Sequence, residues 1–209
     1  MTTNADDGVQ GLVAILRGVR PDEVLAAADA LVEGGIRVLE VPLNSPDPLR
    51  SIECLARQRG DVLRVGAGTV LSPDDVDRVA DAGGTLVLAP NLDAAVVRRT
   101  RARGLWSVPG VATPTEGFAA LAAGAHALKL FPAEMLGPAV LKAWRAVFPP
   151  GTPMWPVGGV GVGNLAAFRA AGAAGAGIGS SLYSPGVAPD ELRRRAQALL
   201  QAWDEAGAR

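Results

Sequence analysis

Histidine and cysteine are nearly missing from this chain, whose 209 residues contain one of each. The single Cys54 excludes an internal disulfide framework and suits a reducing compartment. One histidine, with no close cluster of cysteines and carboxylates, argues against a bound metal. Lysine is almost as scarce: Lys129 and Lys142 stand alone among twenty cationic side chains, and arginine supplies the rest. The charges nearly cancel, to a formal net charge of -1, which leaves no basic field for nucleic acid and no like-charged tail. No apolar run reaches the length of a membrane span, and Met1 to Gly8 is polar and acidic, unlike the basic and apolar start of a signal peptide. These absences point to a cytoplasmic protein with no metal, no nucleic-acid partner and no membrane contact.

What is abundant is glycine, 26 residues of it, in a chain that is 49% hydrophobic and long enough for one domain. Gly35, Gly60, Gly84, Gly104, Gly124, Gly151 and Gly172 recur every 20 to 27 residues, and nearly all precede a short apolar run. Each reads as the cap that ends a helix before a strand begins. Eight strands are predicted: Leu12 to Leu16, Val38 to Leu43, Leu63 to Ala67, Leu86 to Ala89, Trp106 to Val108, Ala127 to Phe131, Met154 to Val157 and Ala174 to Gly179. Helices are predicted between them, at Pro21 to Glu33, Pro46 to Gln58, Pro73 to Ala82, Leu92 to Arg103, Pro114 to Ala123, Pro138 to Val147 and Asn164 to Ala171. A polar extension over residues 1–10 and a terminal helix over 189–206 complete the chain. Ser72-Pro73 and Thr113-Pro114 mark helix starts, and Thr113 with Glu116 has the spacing of a capping box. Asp74, Asp75 and Asp77 read as decoration of such a start rather than as a metal cage.

Eight strand-then-helix units of similar length predict a single (β/α)₈ TIM barrel, a closed α/β fold. An open doubly wound sheet is the weaker fit, because Gly66-Ala67-Gly68 is only a fragment of a dinucleotide fingerprint. In a barrel the working residues sit at the C-terminal ends of the strands. Alternation along the strands places Ile15 with Arg17, Val38 with Glu40 and Pro42, Val65 with Ala67 and Thr69, and Ala127 with Lys129 and Phe131. If those faces point inward, Arg17, Glu40, Thr69 and Lys129 converge on one mouth. A lysine in a strand covered on both sides must find partners or lose its proton, and a neutral amine can form a Schiff base with a ketone. The plainer alternatives are a lysine that reaches out at a strand end, and a structural ion pair between Glu40 and Arg17 or Lys129. Charges at the ends of several strands are costly as mere structure, which favours a functional reading.

Two glycine-rich turns follow the last two strands, Pro156-Val157-Gly158-Gly159-Val160-Gly161 and Gly175-Ala176-Gly177-Ile178-Gly179-Ser180-Ser181. Barrels often hold a phosphate there, on backbone amides and a helix N-terminus, although glycine at such a turn also serves plain turn chemistry. His126 and Cys54 read as structural, with His126 on the face of its strand opposite Lys129.

Six motifs in order now carry a resemblance: Ala14-Ile15-Leu16-Arg17-Gly18, Glu40-Val41-Pro42-Leu43-Asn44-Ser45, Gly66-Ala67-Gly68-Thr69-Val70, Leu128-Lys129-Leu130-Phe131-Pro132, Val157-Gly158-Gly159-Val160 and Gly179-Ser180. The chain resembles the KDPG/KHG aldolase family from about Gly11 to the terminal helix, and within it the galactonate branch. The resemblance implies a class I lyase without cofactor or metal, typically a homotrimer, that cleaves a phosphorylated 2-keto-3-deoxy sugar acid to pyruvate and glyceraldehyde 3-phosphate. It implies Lys129 as the Schiff-base lysine and Glu40 as the general acid/base. Arg17 and Thr69 would hold the substrate carboxylate, and Gly158, Gly159, Gly179 and Ser180 the phosphate. Phe131 would shield the imine or simply fill the barrel. Gluconate-type relatives resemble the chain less at two places, where arginine and threonine stand in them and Asn44 and Val157 stand here. Phe131-Pro132-Ala133-Glu134, however, is similar to the gluconate-type loop. Gluconate specificity, a non-covalent phosphosugar epimerase or isomerase, and a barrel that only binds a phosphosugar are the competing expectations.

Overall fold

Apolar strands too short to stand alone, each followed by a helix, leave the chain little choice but parallel pairing. The computed structural model describes residues 11–207; the extension expected over residues 1–10 lies outside the described residues. The strands are β1 (Gly11–Ile15), β2 (Val38–Pro42), β3 (Arg64–Gly68), β4 (Leu86–Leu88), β5 (Trp106–Val108), β6 (Gly110–Val111), β7 (Leu128–Leu130), β8 (Met154–Pro156) and β9 (Gly175–Ile178). The helices are α1 (Val24–Glu33), α2 (Pro48–Arg59), α3 (Pro73–Asp81), α4 (Ala94–Ala102), α5 (Pro114–Ala122), α6 (Ala133–Trp144), α7 (Val162–Ala170) and α8 (Pro189–Gly207).

Every strand pairing among the described residues is parallel, in the orders β5-β4-β3-β2-β1-β9 and β6-β7-β8. The break between β5 and β6 falls at Pro109, which has no N–H for the ladder. Backbone bonds still cross toward β7 there, from His126 N–H to the Ser107 carbonyl at 3.0 Å and from Lys129 N–H to that of Pro109 at 2.9 Å. At the other seam Ala174 N–H donates to the Met154 carbonyl at 3.1 Å, and Val157 bridges Gly177 in parallel. The sheet therefore curls, with helices on its outer side.

Two apolar layers result. The outer one packs Leu12, Ala14, Leu39, Val41, Val65, Ala67, Leu128 and Leu130 against helix residues such as Val76, Val79 and Leu165. The inner one holds Val13, Val38, Leu86, Leu88, Val108, Ala127 and Trp155. This corrects one expected alternation: Val65 and Ala67 face the helices, and Gly66 and Gly68 are the inward residues of β3. The reason is space. A Cβ on Gly66 would stand 2.6 Å from that of Leu86, and one on Gly177 2.7 Å from Val157 Cγ2. Glycines on β3 and β9 thus admit the wide side chains of neighbouring strands into a core packed to crystal density.

The helix ends follow their local chemistry. Ser72 Oγ accepts from Asp75 N–H at 3.1 Å, and Thr113 with Glu116 closes both arms of its capping box. Left-handed glycines follow the ends of α1, α4, α5 and α7 at Gly35, Gly104, Gly124 and Gly172 as expected; Gly151 is left-handed but lies in a separate turn beyond α6, whose cap is Arg145, after α3 the position belongs to Gly83 rather than Gly84, and Gly60 stays right-handed. Asp77 does more than decorate a helix start, since it accepts from Arg99 and Arg103 of α4 and its C-terminal cap. The helix expected from Pro138 starts there, after Gly137 breaks the helical path with φ 73°; a further helical turn from Ala133 precedes the break and is counted in α6. The terminal helix α8 packs on α1 and α7.

Candidate active site

In a parallel sheet all strands end on one side, so residues in and just after the C-terminal turns of β1, β2, β3, β7, β8 and β9 face the same space. Glu40 lies within β2 on its inner face, 2% exposed, and Lys129 within β7 on its inner face, 5% exposed. Burial raises the Glu40 carboxyl to about 7, against the pull of the positive charges of Lys129 and Arg17. Burial likewise lowers Lys129; Glu40 opposes that shift and Arg17 adds to it. Each group makes the ionisation of the other cheaper, so protons move between them as a pair rather than at two independent sites. Near neutral pH such a pair offers an amine that can lose its proton and a carboxyl that can give or take one.

Gly68 makes the arrangement possible. Both oxygens and the carboxyl carbon of Glu40 lie within 2.5 Å of where a Cβ on Gly68 would stand. Glu40 Oε2 is buried without a hydrogen-bond partner among the described residues, which leaves it open to a substrate atom or a water. The Phe131 ring centroid lies 4.7 Å from Lys129 Nζ, so the half-buried ring covers the amine from one side.

Arg17, exposed just past β1, is held by a bond from its Nη1 to Asn44 Oδ1 at 2.7 Å. The two loops are also laced by Gly18 N–H donating to Ser45 Oγ at 3.0 Å. Thr69 follows β3 with φ 57°, a left-handed conformation rare for a β-branched residue. Its side chain is therefore aimed by a turn, not by strand alternation, and backbone strain of this kind concentrates at binding sites.

The turn after β8 places Gly158 and Gly159 at φ 99° and 68°, which favours glycine at both. Asn164 braces it, accepting from Gly161 N–H at 2.9 Å and donating to the Gly159 carbonyl at 2.8 Å. Ser181 Oγ donates to the Val160 carbonyl at 2.6 Å and so ties the turn after β9 to the turn after β8. Gly179 opens onto free space and accepts from Leu182 and Tyr183 N–H, both at 2.9 Å, while Ser180 is exposed beside it.

All nine side chains and glycines singled out in the sequence thus belong to one end of the sheet. Gly68, Asn44, Ser45, Asn164 and Ser181 were not among them. Gly68 had a signal, a glycine inside a strand, and Asn164 had one in its spacing from Gly161. Asn44 had been set apart only as a difference from gluconate-type relatives, and the bonds that Asn44 and Ser181 make across loops had no local signal. His126 lies elsewhere, its ring stacked 4.6 Å from that of Trp106 and its Nδ1 accepting from Ser107 N–H at 3.0 Å. A recess of about 540 Å³ opens at the opposite end of the sheet, beside Leu63, Arg64, Thr85 and Trp106. Among the described residues no group of three His, Cys, Asp or Glu side chains could hold a metal ion, and no helix is long and apolar enough to cross a membrane.

The sequence profile of the family "KDPG and KHG aldolase" matches residues 9–196. The chain is 48% identical to "Probable 2-dehydro-3-deoxy-6-phosphogalactonate aldolase" of Rhizobium meliloti (strain 1021), over 92% of this chain and 91% of that one. It is 45% identical to "2-dehydro-3-deoxy-6-phosphogalactonate aldolase" of Escherichia coli (strain K12), over 93% and 95%. A solved structure described as "Native KDPGal structure" superimposes with a TM-score of 0.93 at 44% identity, over 95% of this chain and 96% of that one.

Proposed function

The chain belongs to the KDPG and KHG aldolase family, and on that premise we propose that it is a lyase cleaving 2-dehydro-3-deoxy-6-phosphogalactonate to pyruvate and D-glyceraldehyde 3-phosphate by Schiff-base chemistry. The observation that carries this reading is the buried Lys129 amine beside the buried, raised carboxyl of Glu40. The neutral amine adds to the C2 ketone, and a proton from Glu40 lets the carbinolamine lose water to an iminium. Glu40, now a carboxylate, takes the C4 hydroxyl proton. The C3–C4 electron pair moves into the iminium as an enamine, and the aldehyde leaves. The proton then passes to C3, and water releases pyruvate and restores the amine. The iminium is the electron sink, so the reaction calls for no metal or other cofactor.

The remaining roles follow from placement. Arg17, steadied by Asn44, and Thr69 hold the substrate carboxylate; a guanidinium can do so with two parallel bonds. The amides of Gly158, Gly159, Gly179 and Ser180 receive the phosphate, with Asn164 and Ser181 holding the two turns in register. Phe131 shields the imine. The chain is read as one domain whose sheet closes into a single (β/α)₈ barrel, a reading supported by the bonds at both seams. Homotrimeric assembly is carried over from the family resemblance, and a cytoplasmic location from the composition, with its single cysteine and no long apolar run.

Borohydride reduction in the presence of pyruvate, followed by intact mass, tests the proposal. A covalent adduct in the wild type that is absent from Lys129→Arg is expected. No adduct in the wild type would remove the aldolase and favour a non-covalent isomerase. Comparing cleavage of the galactonate and gluconate epimers tests the choice of sugar.

A further inference from the structure

Beside the paired glycines stands a carboxylate that the mechanism does not use. Glu134 lies in the first turn of α6, and its N–H donates to the Gly158 carbonyl at 3.1 Å. Its side chain rests on Gly159: a Cβ added there would come within 2.5 Å of Glu134 Oε2 and 2.6 Å of Glu134 Cβ. Glu134 is exposed, and among the described residues no cation or hydrogen-bond donor meets its carboxylate. A negative charge is therefore placed, uncompensated, against the turn whose amides would receive a phosphate. The helix N-terminus accounts for an acid in this turn of α6 in general, but any residue of the first turn would serve that purpose. Packing on a left-handed glycine of the neighbouring loop is a more particular placement.

We propose that Glu134 is an affinity-tuning residue of the phosphate subsite, whose charge opposes the phosphate dianion and keeps both substrate and phosphorylated product from binding too tightly. The inference rests on reading the turns after β8 and β9 as the phosphate site. The chemistry makes the device useful. Phosphate binding is shared by substrate and product, so tightening it lowers KM without accelerating the bond-breaking step and delays departure of the phosphorylated aldehyde. An exposed carboxylate a few ångströms from a dianion weakens binding by roughly threefold to tenfold at low salt, and ions screen the effect within about 10 Å at 0.1 M.

The test compares wild type, Glu134→Gln and Glu134→Ala by KM for the phosphorylated substrate and by the inhibition constant of inorganic phosphate, each at low and high ionic strength. Trapping of pyruvate by borohydride reports in parallel on Lys129, without a phosphate. Both variants are expected to bind substrate and phosphate roughly threefold to tenfold more tightly at low salt, to converge on wild type at high salt, and to trap pyruvate as before. Unchanged or weaker phosphate binding in variants that still trap pyruvate would overturn the inference, because it would make Glu134 a brace for the loop. Failure of wild type itself to trap pyruvate would overturn the aldolase reading and this inference together, whereas failure to bind phosphate with trapping intact would overturn the phosphate site and this inference alone; both show before any substitution is made.

Discussion

Replacing Gly68 with alanine adds one methyl group at the place the Glu40 carboxyl already fills, within 2.5 Å of all three of its atoms. Gly68 is not among the left-handed glycines, so alanine meets no backbone objection and the conflict is one of space. Glu40 is 2% exposed inside a packed mouth and has nowhere to retreat without shifting its neighbours. Overpacking of this kind costs about 1–3 kcal/mol. For a chain of this size that is a fall in Tm of roughly 2–12 °C, since about 1 kcal/mol moves a 150–250-residue domain by about 2–4 °C. The effect on catalysis is larger, because positioned acid–base catalysis contributes on the order of 10²–10⁴-fold. With the carboxyl pushed off its path, kcat in a coupled assay of pyruvate release should fall about 100-fold or more, while circular dichroism stays native. Gly66→Ala is the control, since its methyl would stand against the Leu86 carbonyl oxygen and 2.6 Å from Leu86 Cβ, where no acid–base group stands. It should cost at least as much stability, because a backbone group yields less than a side chain, and leave most of the activity per folded molecule. A Gly68→Ala enzyme with kcat within about threefold of wild type, or a loss matched by Gly66→Ala, would refute the placement of Glu40 as the proton carrier.

Glu40 also sets a pH dependence. Its carboxyl is raised from 4.5 to about 7 in the folded chain, so the folded state holds that proton more firmly than the unfolded one. Its contribution to stability is full below pH 4.5, fades as pH rises through 7, and leaves a deficit of up to about 3 kcal/mol above that. Urea unfolding of wild type and Glu40→Gln from pH 5 to 8 should show the variant gaining on wild type toward the alkaline end; a constant difference would contradict the burial-driven shift. Asn44→Ala frees the Arg17 guanidinium from its 2.7 Å bond and is expected to raise KM severalfold with little change in kcat, read by steady-state kinetics. An unchanged KM would mean that Arg17 needs no support. Thr113→Ala removes one arm of the capping box at the start of α5 and should lower stability by about 1 kcal/mol, measured by thermal unfolding, with activity intact.

The succession of strands and helices was legible because each unit carries its own punctuation: a proline after a serine or threonine at the start, a glycine at the end and an apolar run beyond. Errors fell where tertiary contacts overrode that punctuation. The strand over Trp106 to Val108 is where it was expected, but the two-residue strand Gly110–Val111 beyond Pro109 was not read, because its pairing with β7 shows only in the fold. A helical turn at Ala133, ahead of the helix from Pro138, went unread because its N–H and that of Glu134 find the Val157 and Gly158 carbonyls of another loop. Val65 and Ala67, apolar and alternating, read equally well on either face of β3. Only the Glu40 carboxyl and the Leu86 side chain arriving from β2 and β4 decide that the glycines must face inward. The partners of Arg17 and Val160 came from loops 27 and 21 residues away, which no local pattern announces.

By itself the order of residues determined the alternation of strand and helix, the scarcity of lysine that drew attention to Lys129, and the glycine turns after the last two strands, since all of these are properties of neighbours along the chain. What only folding decided is that the amine of Lys129 and the carboxyl of Glu40, 89 positions apart in the sequence, share one buried space. Their proton affinities shift because burial removes water from both and distance through space, rather than along the backbone, governs the force between charges.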